Sequence, residues 1–175
     1  DVAKSIKEEL VKEVEALKEK GITPCLSIIR VGERSDDLSY ERGARKRMEM
    51  TGIQCRVTAL PKDVSQEEFE QTFSRINEDS DVHGILLLRP LPKSLDEGPV
   101  RAMIHPNKDV DGMSPVNMAK VFSGDETGFA PCTAQAVMEM LQYYGIKPGG
   151  KRVTILGRSM VVGRPLAMGL LKENA

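Results

Sequence analysis

The run VHGILLL at 82–88 narrows the choice of fold most. It is apolar enough to be covered on both faces, as strands of a parallel sheet flanked by helices are. Pro90 and Pro92 follow in RPLPKSL. Neither has an N–H for a central ladder, so the strand ends there. Two more short apolar runs precede it, PCLSIIRV at 24–31 and residues 53–60. Between them lies a helix over 37–50, stopping before Thr51 and Gly52. A helix ending at Asn77 opens on the capping box Ser65-Gln66-Glu67-Glu68. An opening helix over 2–20 carries Ile6, Leu10, Val14 and Leu17 on one stripe and stops at Gly21. Strand–helix alternation of this kind predicts an α/β layer around a parallel sheet. The two prolines then mark its carboxyl edge, where open α/β sheets place their ligands.

Beyond that edge the pattern predicts a short helix over 95–104 and a charged turn, HPNKDVDG, at 105–112. A helix over 115–122, a loop over 123–128 and a helix over 134–144 capped by Thr133 follow. Last comes KRVTILGRSMVVGRPLAMGLLKE, residues 151–173. It reads as a strand over 152–156, a loop from Gly157-Arg158-Ser159 to Gly163, and a helix with Pro165 in its first turn. Strand, glycine-bearing loop and helix make the first half of a dinucleotide-binding unit, with backbone N–H groups and a helix N-terminus aimed at a pyrophosphate. The spacing is G-x5-G rather than G-x-G-x-x-G, so nucleotide binding and a plain βα turn both remain open on pattern alone. A domain boundary is expected between Asp111 and Cys132. Residues 1–118 form the first α/β domain, and 119–175 form a linker helix plus the first βα unit of the second. One strand and one helix cannot bury their own faces, so the chain is expected to be part of a longer one.

Composition bounds the partners. A formal net charge of -1 gives no reason to expect nucleic acid or an anionic membrane. No apolar run approaches the ~20 residues of a membrane span. The three cysteines, Cys25, Cys55 and Cys132, are odd in number and far apart. That argues against a disulfide framework or a zinc cluster and fits a reducing, cytoplasmic setting. Tyr40, after a polar loop, either stacks on a planar ligand or packs in the core. Asp111, in KDVDG, either hydrogen-bonds a heterocycle or sits in a solvated turn. The turn lacks the alternating oxygens and closing Glu of a calcium loop, and no metal is expected. His83 and His105 are isolated and read as satisfied polar groups. Arg42, Arg45, Lys46 and Arg47 form either a solvated helix face or a local anion site.

Six segments, in order, resemble the bifunctional methylenetetrahydrofolate dehydrogenase/cyclohydrolase family: VGERSDDLSY (31–40), Gly52-Ile53, GILLLRPLP (84–92), PNKDVDG (106–112), PCT (131–133) and GRSMVVGRP (157–165). The resemblance implies two α/β domains, the second a Rossmann domain for NADP, with NAD also compatible. It further implies a tetrahydrofolate derivative as substrate and a cytosolic homodimer. Carried over by position, Tyr40 stacks on the folate's aromatic portion and Asp111 holds the pterin, these two being the candidate catalytic pair. Leu88 and Pro90 complete the substrate set. Gly157, Arg158, Ser159, Gly163 and Pro165 line the cofactor site. Three polar positions depart from the family's pattern. Its lysine is Ala44 here, the glutamine of its VQLPLP strand end is Leu88, and the serine of its VG loop is Asp37. Hydride transfer to a nicotinamide does not need these groups. Hydrolysis of the methenyl product needs proton traffic, which alanine and leucine cannot carry. The expectation is therefore a dehydrogenase with reduced or lost cyclohydrolase activity. Substitution by Arg42, Lys46 or Asp37, and a non-catalytic binding protein, are the alternatives.

Overall fold

The computed structural model describes residues 2–175, which divide into two compact units, 3–108 and 109–175. In the first unit, β1 (Cys25–Val31), β2 (Gln54–Leu60) and β3 (Gly84–Leu87) form a parallel sheet in the order β2-β1-β3. Ile28 lies opposite Val57 on one side and Leu86 on the other. The central strand is almost wholly buried, whereas the edge strand β2 is only half covered. Helices α1 (Val2–Glu19), α2 (Ser35–Thr51), α3 (Gln66–Glu78) and α4 (Gly98–Met103) complete the unit. The strand expected over 82–88 is shorter, but the Leu88 N–H still donates to the Ile29 carbonyl at 2.9 Å. The following Arg89–Pro90 peptide is cis.

Phe69 and Phe73 of α3 are fully buried and meet edge to face, with centroids 6.4 Å apart. Each such ring contributes about 1.5–3 kcal/mol by leaving water. With Ile28, Ile29, Ile85 and Val100 they are the core on which the sheet rests. The Ser65 hydroxyl caps α3 as the sequence predicts, accepting from the Glu68 N–H at 3.1 Å. Gly52 ends α2 with φ of 77°, a left-handed conformation that suits glycine.

The second unit contains α5 (Pro115–Ser123), α6 (Cys132–Tyr143) and α7 (Gly163–Lys172), with α7 packed against both other helices. The strand expected over 152–156 does not form. A strand exists through its ladder, and this run finds no partner among the described residues of the unit. Val153 and Leu156 stay in water, Leu156 being 98% exposed. Thr133 does not cap α6 either. The helix starts one residue earlier, at Cys132, with Pro131 in the cap position and no side-chain cap bond. Among the described residues no helix is long and apolar enough to cross a membrane.

Candidate functional site

The KDVDG segment divides its labour residue by residue. The Lys108 ammonium donates to the carbonyls of Asn77 and Asp79, both at 2.7 Å, neutralising the negative end of α3. Asp109 has no exposed surface. Its Oδ1 accepts from the Met113 N–H at 2.9 Å, and its Oδ2 accepts from the Ser114 N–H at 2.8 Å and the Asn117 amide at 2.9 Å. Asp109 therefore holds the start of α5, where Ser114 is the N-cap. Gly112 has φ of 60°, and a Cβ there would lie 2.6 Å from the Phe129 carbonyl oxygen. Of the two acids in this turn, Asp109 is buried and Asp111 is partly exposed.

In the first unit, the loop after β1 leads into α2, which carries Tyr40 at 59% exposure. An aromatic ring that far into solvent is poorly explained as core and well suited to stacking. Ala44 lies one turn along and is half-buried. Leu88 is 7% exposed at the end of β3. Pro90 lines a cavity of about 1070 Å³ at the carboxyl ends of the three strands, with Gly32, Arg34, Leu60, Lys62 and Lys93. Asp37 is buried, with Arg34 at 3.9 Å. Arg42 donates to the Ser39 hydroxyl at 3.0 Å on the exposed side of α2, and Lys46 is exposed.

One feature here escapes a motif reading. The Arg30 guanidinium donates through Nε to Glu41 Oε2 at 2.8 Å and through Nη1 to the Gly32 carbonyl. Both partners of this ion pair are buried, at 8% and 9% exposure. The signal was an arginine inside the otherwise apolar run IIRV.

In the second unit, Gly157 (φ 142°), Arg158 and Ser159 form an exposed loop ahead of α7. The loop folds back on the helix start. A Cβ on Gly163 would run into the Gly157 carbonyl and lie 2.6 Å from its carbon, so only glycine fits. The Ser159 hydroxyl accepts from the Val162 N–H at 3.1 Å, and the Ser159 carbonyl accepts from the Arg164 N–H at 3.1 Å. Pro165 is buried in the first turn. A loop with glycine at both ends before a helix N-terminus, carrying the exposed cation Arg158, fits the phosphates of a dinucleotide.

The histidines are spoken for. His83 Nδ1 accepts from the Cys25 N–H and His105 Nδ1 from the Asn107 N–H, both at 3.2 Å. The three cysteines are free thiols, Cys25 buried, Cys55 half-buried and Cys132 at the surface, and lost hydration of the thiolate raises each above the ordinary thiol range. At Cys132 the Asp111 carboxylate adds to that rise. The Cys132 thiol donates to the Val110 carbonyl at 3.2 Å.

Comparison with known proteins gives this geometry a family. The profile of the tetrahydrofolate dehydrogenase/cyclohydrolase catalytic domain matches residues 1–111, and that of the family's NAD(P)-binding domain matches 131–175. The chain is 54% identical over 174 residues to the bifunctional protein FolD of Clostridioides difficile, covering 99% of this chain and 61% of that protein. It is 52% identical to the Carboxydothermus hydrogenoformans protein of the same name, with the same coverage of each. Among solved structures, the bifunctional enzyme FolD of Campylobacter jejuni aligns with a TM-score of 0.96 at 40% identity, over 99% of this chain and 61% of that one. The Trypanosoma brucei enzyme, complexed with NADP and an inhibitor, aligns with a TM-score of 0.93 at 39% identity, over 99% of this chain and 60% of that one. The chain thus spans about three-fifths of the length of the curated relatives it matches. It belongs to the tetrahydrofolate dehydrogenase/cyclohydrolase family.

Proposed function

We propose that the protein is an NADP-dependent methylenetetrahydrofolate dehydrogenase with a cyclohydrolase step that is reduced or lost. The bound nicotinamide supplies the hydride acceptor for oxidation of the methylene carbon. The chain's own residues orient the reactants. Tyr40 stacks on the aromatic portion of the folate, Asp111 accepts hydrogen bonds from the pterin, and Leu88 and Pro90 wall the substrate. Gly157, Arg158, Ser159, Gly163 and Pro165 hold the dinucleotide. Arg158 beside a ribose phosphate favours NADP over NAD, in keeping with the NADP held by the Trypanosoma brucei relative. Residues 1–118 make the folate-binding part and 119–175 the start of the cofactor domain. A cytoplasmic homodimer is carried over with the family.

The observation behind the reduced hydrolysis is the pair Ala44 and Leu88. Water added to the methenyl carbon must lose a proton, and N5 must be released as the ring opens. A half-buried methyl and a buried isobutyl group move no proton. General acid/base catalysis contributes ~10²–10⁴-fold, so its loss lowers hydrolysis by a comparable factor. A second reading, in which both activities persist, is favoured by the name of the 54%-identical relative, a bifunctional protein. One experiment on the full-length protein separates the two. NADP reduction with methylenetetrahydrofolate is followed first, then the decay of added methenyltetrahydrofolate. Reduction with decay near the buffer rate is expected. Reduction with strongly accelerated decay establishes the second reading, and the absence of both signals overturns the dehydrogenase.

A further inference from the structure

The most deeply buried side chains of α2 are polar, while its apolar Leu38, Ala44 and Met48 are only half-buried. Its buried residues are Asp37, Glu41 and Thr51, and none of them is apolar. The Thr51 hydroxyl bonds only within its own helix, to the Arg47 and Met48 carbonyls. Asp37 has Arg34 at 3.9 Å, from the residue just ahead of the helix. Glu41 is different, because its partner Arg30 belongs to the central strand. Arg30 also donates to the Gly32 carbonyl, in the loop leading into α2. A single guanidinium therefore ties the strand, the outgoing loop and the second turn of the helix together.

The pair sits where the folate site is built. Glu41 directly follows Tyr40. It shares a face with Ala44, three residues on, and Asp37, four residues back. On the sheet, Ile29 lies opposite Leu87, and the ladder continues to Leu88. Arg30 and Leu88 are thus neighbours on one face of the pleat. Two positions where the family's pattern has polar side chains, 44 and 88, flank this ion pair.

We propose that Arg30 and Glu41 are positioning residues of the folate site, an inference that rests on the dehydrogenase reading above. They fix the rotation of α2 about its axis, and with it the direction of Tyr40. Each residue advances the helix by about 100°, so a small slip re-aims that ring. A buried pair suits this task because removing one partner strands the other charge.

The test uses the full-length protein with Glu41→Gln, the paired change Arg30→Leu/Glu41→Leu, and Tyr40→Ala with and without Glu41→Gln. For both pair variants the KM for methylenetetrahydrofolate is expected to rise about tenfold or more, as misplacement of a positioning group does. The KM for NADP is expected to stay within about twofold, since the cofactor cradle lies on another unit. On the Tyr40→Ala background, Glu41→Gln is expected to add nothing, because its effect passes through the ring. The double leucine variant leaves no stranded charge and carries the test if Glu41→Gln fails to fold. A double leucine variant that melts like wild type and keeps its folate KM overturns the proposal. So does a full Glu41→Gln effect on the Tyr40→Ala background. Hydrogen exchange provides a readout independent of activity. Faster exchange over 35–44 in Glu41→Gln, with 66–78 unchanged, supports the proposal, and unchanged exchange over 35–44 overturns it. If wild type oxidises no methylenetetrahydrofolate, the dehydrogenase reading fails while exchange still decides the positioning role.

Discussion

Three donors converge on Asp109, which has no contact with solvent. Asp109→Ala would leave two backbone N–H groups and the Asn117 amide without their acceptor. Hydrogen bonds to a charged group contribute about 1.5–3 kcal/mol each, so a loss of at least about 3 kcal/mol is expected in urea unfolding. Asp109→Asn keeps one acceptor oxygen and should cost less. Asp111, two residues away, should behave differently. Its charge adds to the burial that raises the Cys132 thiol. Alkylation of Cys132 at pH 7 is therefore expected to be slow and to climb into the alkaline range, read by mass spectrometry. Asp111→Asn should speed it at pH 8, because a lower thiol pKa gives more thiolate. The KDVDG motif was legible in the sequence, and resemblance singled out Asp111, but the structural task of Asp109 was not legible, since residue type alone does not mark an acid as buried. The Arg30–Glu41 pair was less legible still. Eleven positions separate its members, on a strand and a helix, and no local spacing links them.

Among the elements, the three strands of the first unit were readable because each run satisfies itself within that unit. Their ladders exist in the described chain. The run over 152–156 has the same composition and forms no strand, because composition sets the preference while neighbours supply the hydrogen bonds. The loop and helix that follow were legible, since the Gly157–Gly163 contact and the buried Pro165 are local features. That contact gives an element-scale expectation. Gly163→Ala must push the Gly157 carbonyl aside and reshape the cradle ahead of α7. In the full-length protein the KM for NADP should rise about tenfold or more while the folate KM changes little, given the geometric precision such loops require. A Gly163→Ala variant with an unchanged KM for NADP would show that the cradle does not hold the phosphates.

At the scale of the whole molecule, the proposed division of activities is reversible by design. Ala44→Lys supplies a proton carrier one turn from Tyr40, and Leu88→Gln supplies an amide to hold it. The two changes should not behave independently. Leu88 is buried, and an amide placed there alone costs about 1–3 kcal/mol for want of a partner. A lysine at 44 placed alone lies one turn from Glu41 and competes with Arg30 for its carboxylate. Together, the lysine can donate to the amide oxygen, and part of each penalty disappears. The double variant is therefore expected to be more stable than the sum of the two single losses, measured as a double-mutant cycle by denaturant unfolding. Its hydrolysis of methenyltetrahydrofolate should rise at least about tenfold over wild type, toward the ~10²–10⁴-fold that a positioned acid/base provides. NADP reduction should persist within a few-fold, because the hydride's path is untouched. A stable double variant that reduces NADP but gains no hydrolysis would remove Ala44 and Leu88 as the cause. A wild type already hydrolysing at full rate would place the proton carrier elsewhere in the protein.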